Sequence, residues 1–325
     1  MYTELLEESR KTFMLAILIG LTIGILLPMQ TSVNSRLRQV VGSPFVASFL
    51  SFTVGTIFLS LLLLLTGQSF GFDGSVIQEG PGWMWIGGLL GVLFLTGNIL
   101  LFPRLGSVQT VIMPIFGQIL MGLLIDHFGW FNSVEHPITA LRLFGVVLVL
   151  FGVIGTVALS DWLNRRRGKL VVSMETDTGN LNLWRLFGIF TGMMSATQTA
   201  INGYLGTVVE SALKGALVSF VVGTLALLLI LLVSRQPVPL GQLKGQPWWI
   251  WLGGIIGALF IGGNVLIVPI VGTGIAVIIV IVGLLCGSLL IDRFGWFGAK
   301  KNPVTGVQLA SLVVMVIGIV LIRLS

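Results

Sequence analysis

Two stretches place amide side chains where aliphatic residues would be expected. LPMQTSVNSR sets Gln30 and Asn34 four residues apart, and SATQTAINGY does the same with Gln198 and Asn202. A carboxamide donates and accepts, and facing lipid it leaves those groups unpaired at a cost of several kcal/mol. Residues four apart share one helix face, so each pair forms a short polar stripe. Such a stripe must face other helices or a polar cavity. Asn98 and Asn264 form a third pair, and Gln118 stands alone because its counterpart is Leu284. Two readings stay open for each pair: hydrogen bonding between helices, worth roughly 0.6–2 kcal/mol, or the lining of a substrate path.

The surroundings narrow the chemistry. Hydrophobic residues make up 55% of the chain and charged residues 9%, and the mean hydropathy is +1.04. A soluble domain carries about 25% charged residues, so the expected class is an all-α, polytopic membrane protein. Ten apolar runs fit as spans: 13–29, 45–65, 83–102, 107–125, 143–159, 186–200, 215–233, 248–268, 272–291 and 304–322. None contains Asp, Glu, Lys, Arg or His, so no ion path of charged groups is visible within them. No P-loop, metal-ligand spacing or catalytic acid–base set appears. The sequence therefore suggests no enzyme, no cofactor, no metal and no nucleic-acid partner. His127 and His136 read as solvated loop residues. Cys286, the single cysteine, reads as a buried structural thiol. Glu4, Glu7 and Glu8 precede Arg10 and Lys11, which is the wrong charge for a signal peptide, so the first span reads as retained.

The chain repeats itself. SFTVGT (51–56) returns as SFVVGT (219–224), WIGGLLGVLFLTGN (85–98) as WLGGIIGALFIGGN (251–264), and LLIDHFGWF as LLIDRFGWF, pairing Asp126 with Asp292. The order and near-constant offset indicate a duplication of five spans. Residues 1–160 form the first repeat, 161–183 a linker and 184–325 the second repeat. An odd number of spans per repeat inverts the second half. The basic residues agree: Arg10, Lys11, Arg142, Lys214 and Arg323 fall on one side, and the rest of the 18 Lys and Arg fall on the linker side. The positive-inside rule makes the linker cytoplasmic and puts both termini outside. Tryptophans near span ends read as interfacial anchors, and Gly20/Gly24, Gly87/Gly91, Gly188/Gly192 and Gly253/Gly257 as packing stripes. Pro28, Pro103, Pro114 and Pro269 are expected to bend or end helices.

Asp126 and Asp292 close the fourth span of each half. They read either as interfacial helix-end residues or as a protonatable gate.

Ten spans in inverted halves, with LLIDxFGWF closing the fourth span, resemble the drug/metabolite transporter superfamily, and more narrowly its YdcZ-like branch in fused two-half form. The resemblance implies a bacterial inner-membrane protein in the lipid bilayer. It further implies a secondary transporter that exports small metabolites or drug-like solutes by alternating access through a central cavity, without ATP, as monomer or homodimer. The small multidrug exporters of that superfamily use a membrane glutamate in their first helix, and this chain offers only amides there. The expected substrate-binding set is Gln30, Asn34, Asn98, Gln198, Asn202 and Asn264. A lipid or lipid-linked-intermediate flippase and a non-transporting membrane scaffold subunit are the alternatives.

Overall fold

A computed structural model describes residues 2–71, 73–133, 135–156, 181–271, 273–301 and 304–324. The linker, 161–180 in particular, and Trp162 lie outside the described residues, as does the side chain of Asn264. No strand occurs among the described residues. The long helices are α1 (Tyr2–Val41), α2 (Pro44–Leu65), α3 (Gly87–Phe128), α4 (Ala140–Ile154) and α5 (Leu181–Val208). They continue as α6 (Ala212–Val233), α7 (Leu252–Val271), α8 (Thr273–Phe294) and α9 (Gly306–Leu324). Together they form the all-α, two-half membrane bundle expected.

Among the described residues the ten expected spans fall in nine long helices, because α3 carries two. It breaks at Gly106, whose φ of 75° and ψ of 177° suit glycine, and not at Pro103 or Pro114, which lie inside its arms. The first span also runs on. α1 continues through Pro28 to Val41, so Gln30 and Asn34 sit within a helix and not at its end. His127 likewise lies in the last turn of α3 and not in a loop. Cys286 is exposed, contrary to expectation. α8 seats Gly283 and Gly287 on the backbone of α1, and Cys286 lies off that stripe.

The two halves cap alike. Ser43 and Ser211 have extended backbones before α2 and α6, and their Oγ atoms accept from Val46 and Lys214 N–H at 3.4 and 3.2 Å. Each hydroxyl then donates to the other half: Ser43 to Gln236 Oε1 and Ser211 to Gln68 Oε1, both at 2.6 Å.

The halves are crossed. α1 packs on α7 and α8, and α5 packs on both arms of α3. Small residues permit this. A Cβ at Gly192 or Gly117 would strike the backbone of Pro114 or Ile189, and one at Gly24 or Gly283 that of Val280 or Leu21. Matched residues meet where the pseudo-two-fold axis passes between α2 and α6. The Phe52 and Phe220 rings lie 5.1 Å apart, and the Thr56 and Thr224 hydroxyls 3.0 Å. α4 and α9 pair beside this core through Gly145, Gly152 and Gly318.

The outer faces are apolar. Leu61, Leu64, Leu225 and Leu229 are exposed on α2 and α6, and Phe144 and Phe151 on α4. In water such a surface would be costly, and in a bilayer it is the lipid contact. Trp248, Trp130 and Trp296 are exposed at helix ends.

Candidate functional site

The amide stripes and the glycine stripes are two sides of one contact. α1 lays Asn34 and Gln30 over Gly253 and Gly257 of α7. A Cβ at Gly253 would fall on the Asn34 amide, and one at Gly257 would lie 2.6 Å from Gln30 Nε2. The second half repeats this with Asn202 over Gly87 and Gln198 over Gly91 of α3. Beside each amide, a Cβ at Gly254 or Gly88 would strike the carbonyl of Ser51 or Ser219. Glycine is needed at these positions for proximity. Each half thus wedges its first two helices onto the start of the third span of the other half.

One wedge lies toward the end from which the linker departs, and the other toward the opposite end. Arg38 Nη1 donates to Ile99 O at 3.4 Å, and Arg185 Nε to Gln109 Oε1 at 3.2 Å, both at the linker end. Lys214 Nζ donates to Gly71 O at 2.9 Å at the other end.

The two wedges differ in their hydrogen bonds. Asn202 is half-buried and donates through Nδ2 to Ser219 Oγ at 3.1 Å, while its Oδ1 is buried without a partner among the described residues. Asn34 is 0% exposed, and neither its Oδ1 nor its Nδ2 has a partner among the described residues. Ser51 Oγ, the counterpart of Ser219 Oγ, is also buried without one. Asn98 is buried with an unpartnered Oδ1. Buried polar groups usually find partners, and each exception requires an explanation. Gln118, which had no counterpart by sequence, donates to Ser195 Oγ at 3.4 Å and joins α3 to α5.

The matched aspartates also diverge. Asp292 is 5% exposed, and its two carboxylate oxygens accept from Ser107 N–H at 3.1 Å and Val108 N–H at 3.4 Å. These are the first amides after the Gly106 break, so Asp292 caps the start of the second arm of α3, where the helix dipole favours negative charge. Asp126 is 26% exposed and lies 4.0 Å from Arg142 Nη1, which also donates to His136 O.

Two shallow surface recesses, of about 530 and 450 Å³, lie at the linker end. The first is walled by Met29, Trp249, Trp296, Phe297 and Gly298. None of the five amides whose side chains are described lines either one. In this conformation Gln30, Asn34, Gln198 and Asn202 are clamped between the halves.

Reading the sequence missed Ser51, Ser219 and the role of glycine as the seat for each amide. The serines head the repeated motifs SFTVGT and SFVVGT, which was the available signal.

Comparison with known proteins agrees with the architecture. A family described as "Putative inner membrane exporter, YdcZ" matches residues 15–155 and again 183–321. The inner membrane protein YdcZ of Escherichia coli (strain K12) is 29% identical over 155 residues, 47% of this chain and 95% of its own length. That relative therefore corresponds to one half. A solved crystal structure covers 96% of this chain and 98% of its own at a TM-score of 0.51 and 18% identity, a likeness of fold. Matched in both halves by the same family, this multi-pass membrane protein belongs to the YdcZ family of the drug/metabolite transporters, inner membrane proteins described as exporters.

Proposed function

We propose that the protein is a secondary transporter that exports small metabolites or drug-like solutes by alternating access between its crossed halves. The substrate path is the contact between the halves, lined by Gln30, Asn34, Asn98, Gln198, Asn202 and Asn264. One observation carries this reading. Asn34 is wholly buried where the halves meet, yet both of its amide atoms lack a partner among the described residues. An amide retained for packing would be hydrogen-bonded across helices, and one that serves a path keeps its donor and acceptor for a solute. Neutral amides between aliphatic walls suit a weakly polar or amphipathic solute. One chain supplies both halves of the path, so a monomer suffices. Of the two aspartates proposed as a gate, Asp126 is favoured by its partial exposure, since Asp292 is engaged by two backbone N–H groups.

The test is untargeted metabolite profiling of cells and medium. Strains would carry the wild type, Gln30→Ala/Gln198→Ala at matched membrane levels, or empty vector. The expected result is a compound that leaves cells with the wild type and is retained at least several-fold more with the variant. Equal export by both would return the glutamines to packing. No difference from empty vector would favour the flippase or scaffold.

The same reading orients the chain with the linker in the cytoplasm. Cysteines added at residues 3 and 325, in a Cys286→Ala background, should react with an impermeant maleimide in intact cells. A cysteine in the linker should react only after permeabilisation, and the reverse pattern would invert the topology.

A further inference from the structure

We propose that Asn34 with Ser51, and Asn202 with Ser219, form a reciprocal latch that decides which end of the bundle opens. The proposal rests on the alternating-access reading above and adds two residues to it, Ser51 and Ser219.

The two pairs are equivalent by repeat and by placement. In each, the asparagine comes from the first span of a half and the serine from the second. Each sits on adjacent glycines of the opposite half, Gly253 and Gly254 at one end and Gly87 and Gly88 at the other. The ties around them are equivalent too, since Ser43–Gln236 and Ser211–Gln68 are both made at 2.6 Å. The difference lies in the latch itself. At the end opposite the linker, Asn202 is half-buried and bonded to Ser219 Oγ at 3.1 Å. At the linker end, Asn34 and Ser51 are 0% and 4% exposed, and Asn34 Nδ2, Asn34 Oδ1 and Ser51 Oγ are unpartnered among the described residues.

A symmetric pair held in two unlike states is what an inverted-repeat carrier requires of a switch. Both asparagines press Oδ1 onto a glycine of the opposite half and leave it unpartnered among the described residues, so the two ends differ in the serine bond, which Asn202 Nδ2 makes and Asn34 Nδ2 lacks. Opening the linker end returns that bond to Asn34. Because the halves are inverted copies, the other conformation makes the Asn34–Ser51 bond and breaks Asn202–Ser219. One bond is made in each state, so the exchange is close to balanced. A ligand with modest preference for one state can then drive it.

The opposed effect of the two serines tests this. Ser35, buried beside Asn34 at the linker end, is replaced by cysteine in a Cys286→Ala background. The full chain in lipid nanodiscs is then reacted with a water-soluble maleimide, with no substrate added. Ser219→Ala removes a bond made only in the present state and is expected to speed labelling by about 2- to 10-fold, the value of one hydrogen bond. Ser51→Ala removes a bond made only in the other state and is expected to slow labelling by a similar factor. Asn202→Ala and Asn34→Ala should shift labelling in the same opposed directions, and they serve if a serine variant fails to fold. Changes in the same direction, or changes below 2-fold in all four, would overturn the latch. Labelling needs no flux, so failure of the transport reading leaves this result interpretable, and a failed latch leaves the metabolite test standing.

Discussion

Gly192→Ala is expected to lower the apparent melting temperature of the purified protein by several degrees, whereas Gly203→Ala in the same helix should leave it unchanged or raise it. Both replace glycine in the middle of α5, where alanine gains about 1 kcal/mol of helix propensity. At Gly203 a Cβ meets nothing within 4 Å, so that gain stands alone. At Gly192 a Cβ would strike the carbonyl of Pro114 and lie 2.6 Å from its Cα. That obstacle is backbone inside α3, and no rotamer change removes it. The two helices must separate, at a cost of roughly 1–3 kcal/mol or more for overpacking of a close contact, which exceeds the propensity gain. Tryptophan fluorescence during a thermal ramp in detergent reads the difference. Equal melting temperatures for the two variants would mean that α5 does not seat on α3 at this position.

The second large effect separates the matched aspartates. Asp292→Ala is expected to destabilise by about 2–4 kcal/mol, and Asp126→Ala by about 0–1 kcal/mol. Removing the Asp292 carboxylate leaves the Ser107 and Val108 N–H groups buried without their acceptor, and each orphaned group costs roughly 1–3 kcal/mol. Asp126 loses only a 4.0 Å ion pair at a partly exposed position, which is worth little. Asp292→Asn keeps an acceptor oxygen and should recover part of the loss. If Asp126→Ala proved as damaging as Asp292→Ala in the same thermal assay, the cap would not be the reason for conserving an acidic side chain across the two copies of the motif.

The aspartates also mark where sequence reasoning stopped. IDHFGWF and IDRFGWF present them as equals, whether as helix-end residues or as a symmetric gate. Their difference comes from what lies opposite: a helix start after Gly106 for Asp292, and Arg142 for Asp126. The first partner lies 185 residues away in the chain and the second lies across the following loop, and the repeated motif announces neither. The amides and glycines show the same limit. Gln30/Asn34 and Gly253/Gly257 were each visible as i, i+4 stripes, because helix periodicity is local. That one stripe fits into the other was not visible, because it depends on how two inverted halves cross.

The sequence by itself determined the class, the number of spans, the duplication, its inversion and the family. The class, the spans and the duplication follow from composition, from apolar run length against bilayer thickness and from motifs repeated in order, the inversion from the odd span count and the basic residues, and the family from the resemblance carried by the LLIDxFGWF motifs. Only the tertiary structure decided that α1 packs on the second half and α5 on the first, that Gly106 breaks α3, that Cys286 faces outward, and that neither amide atom of Asn34 has a partner among the described residues while Asn202 keeps one bond. The reason is physical. Hydropathy specifies how much of each helix must leave water, and says nothing about which helix will cover it. In a bilayer that choice falls to close packing and hydrogen bonding between residues distant in sequence.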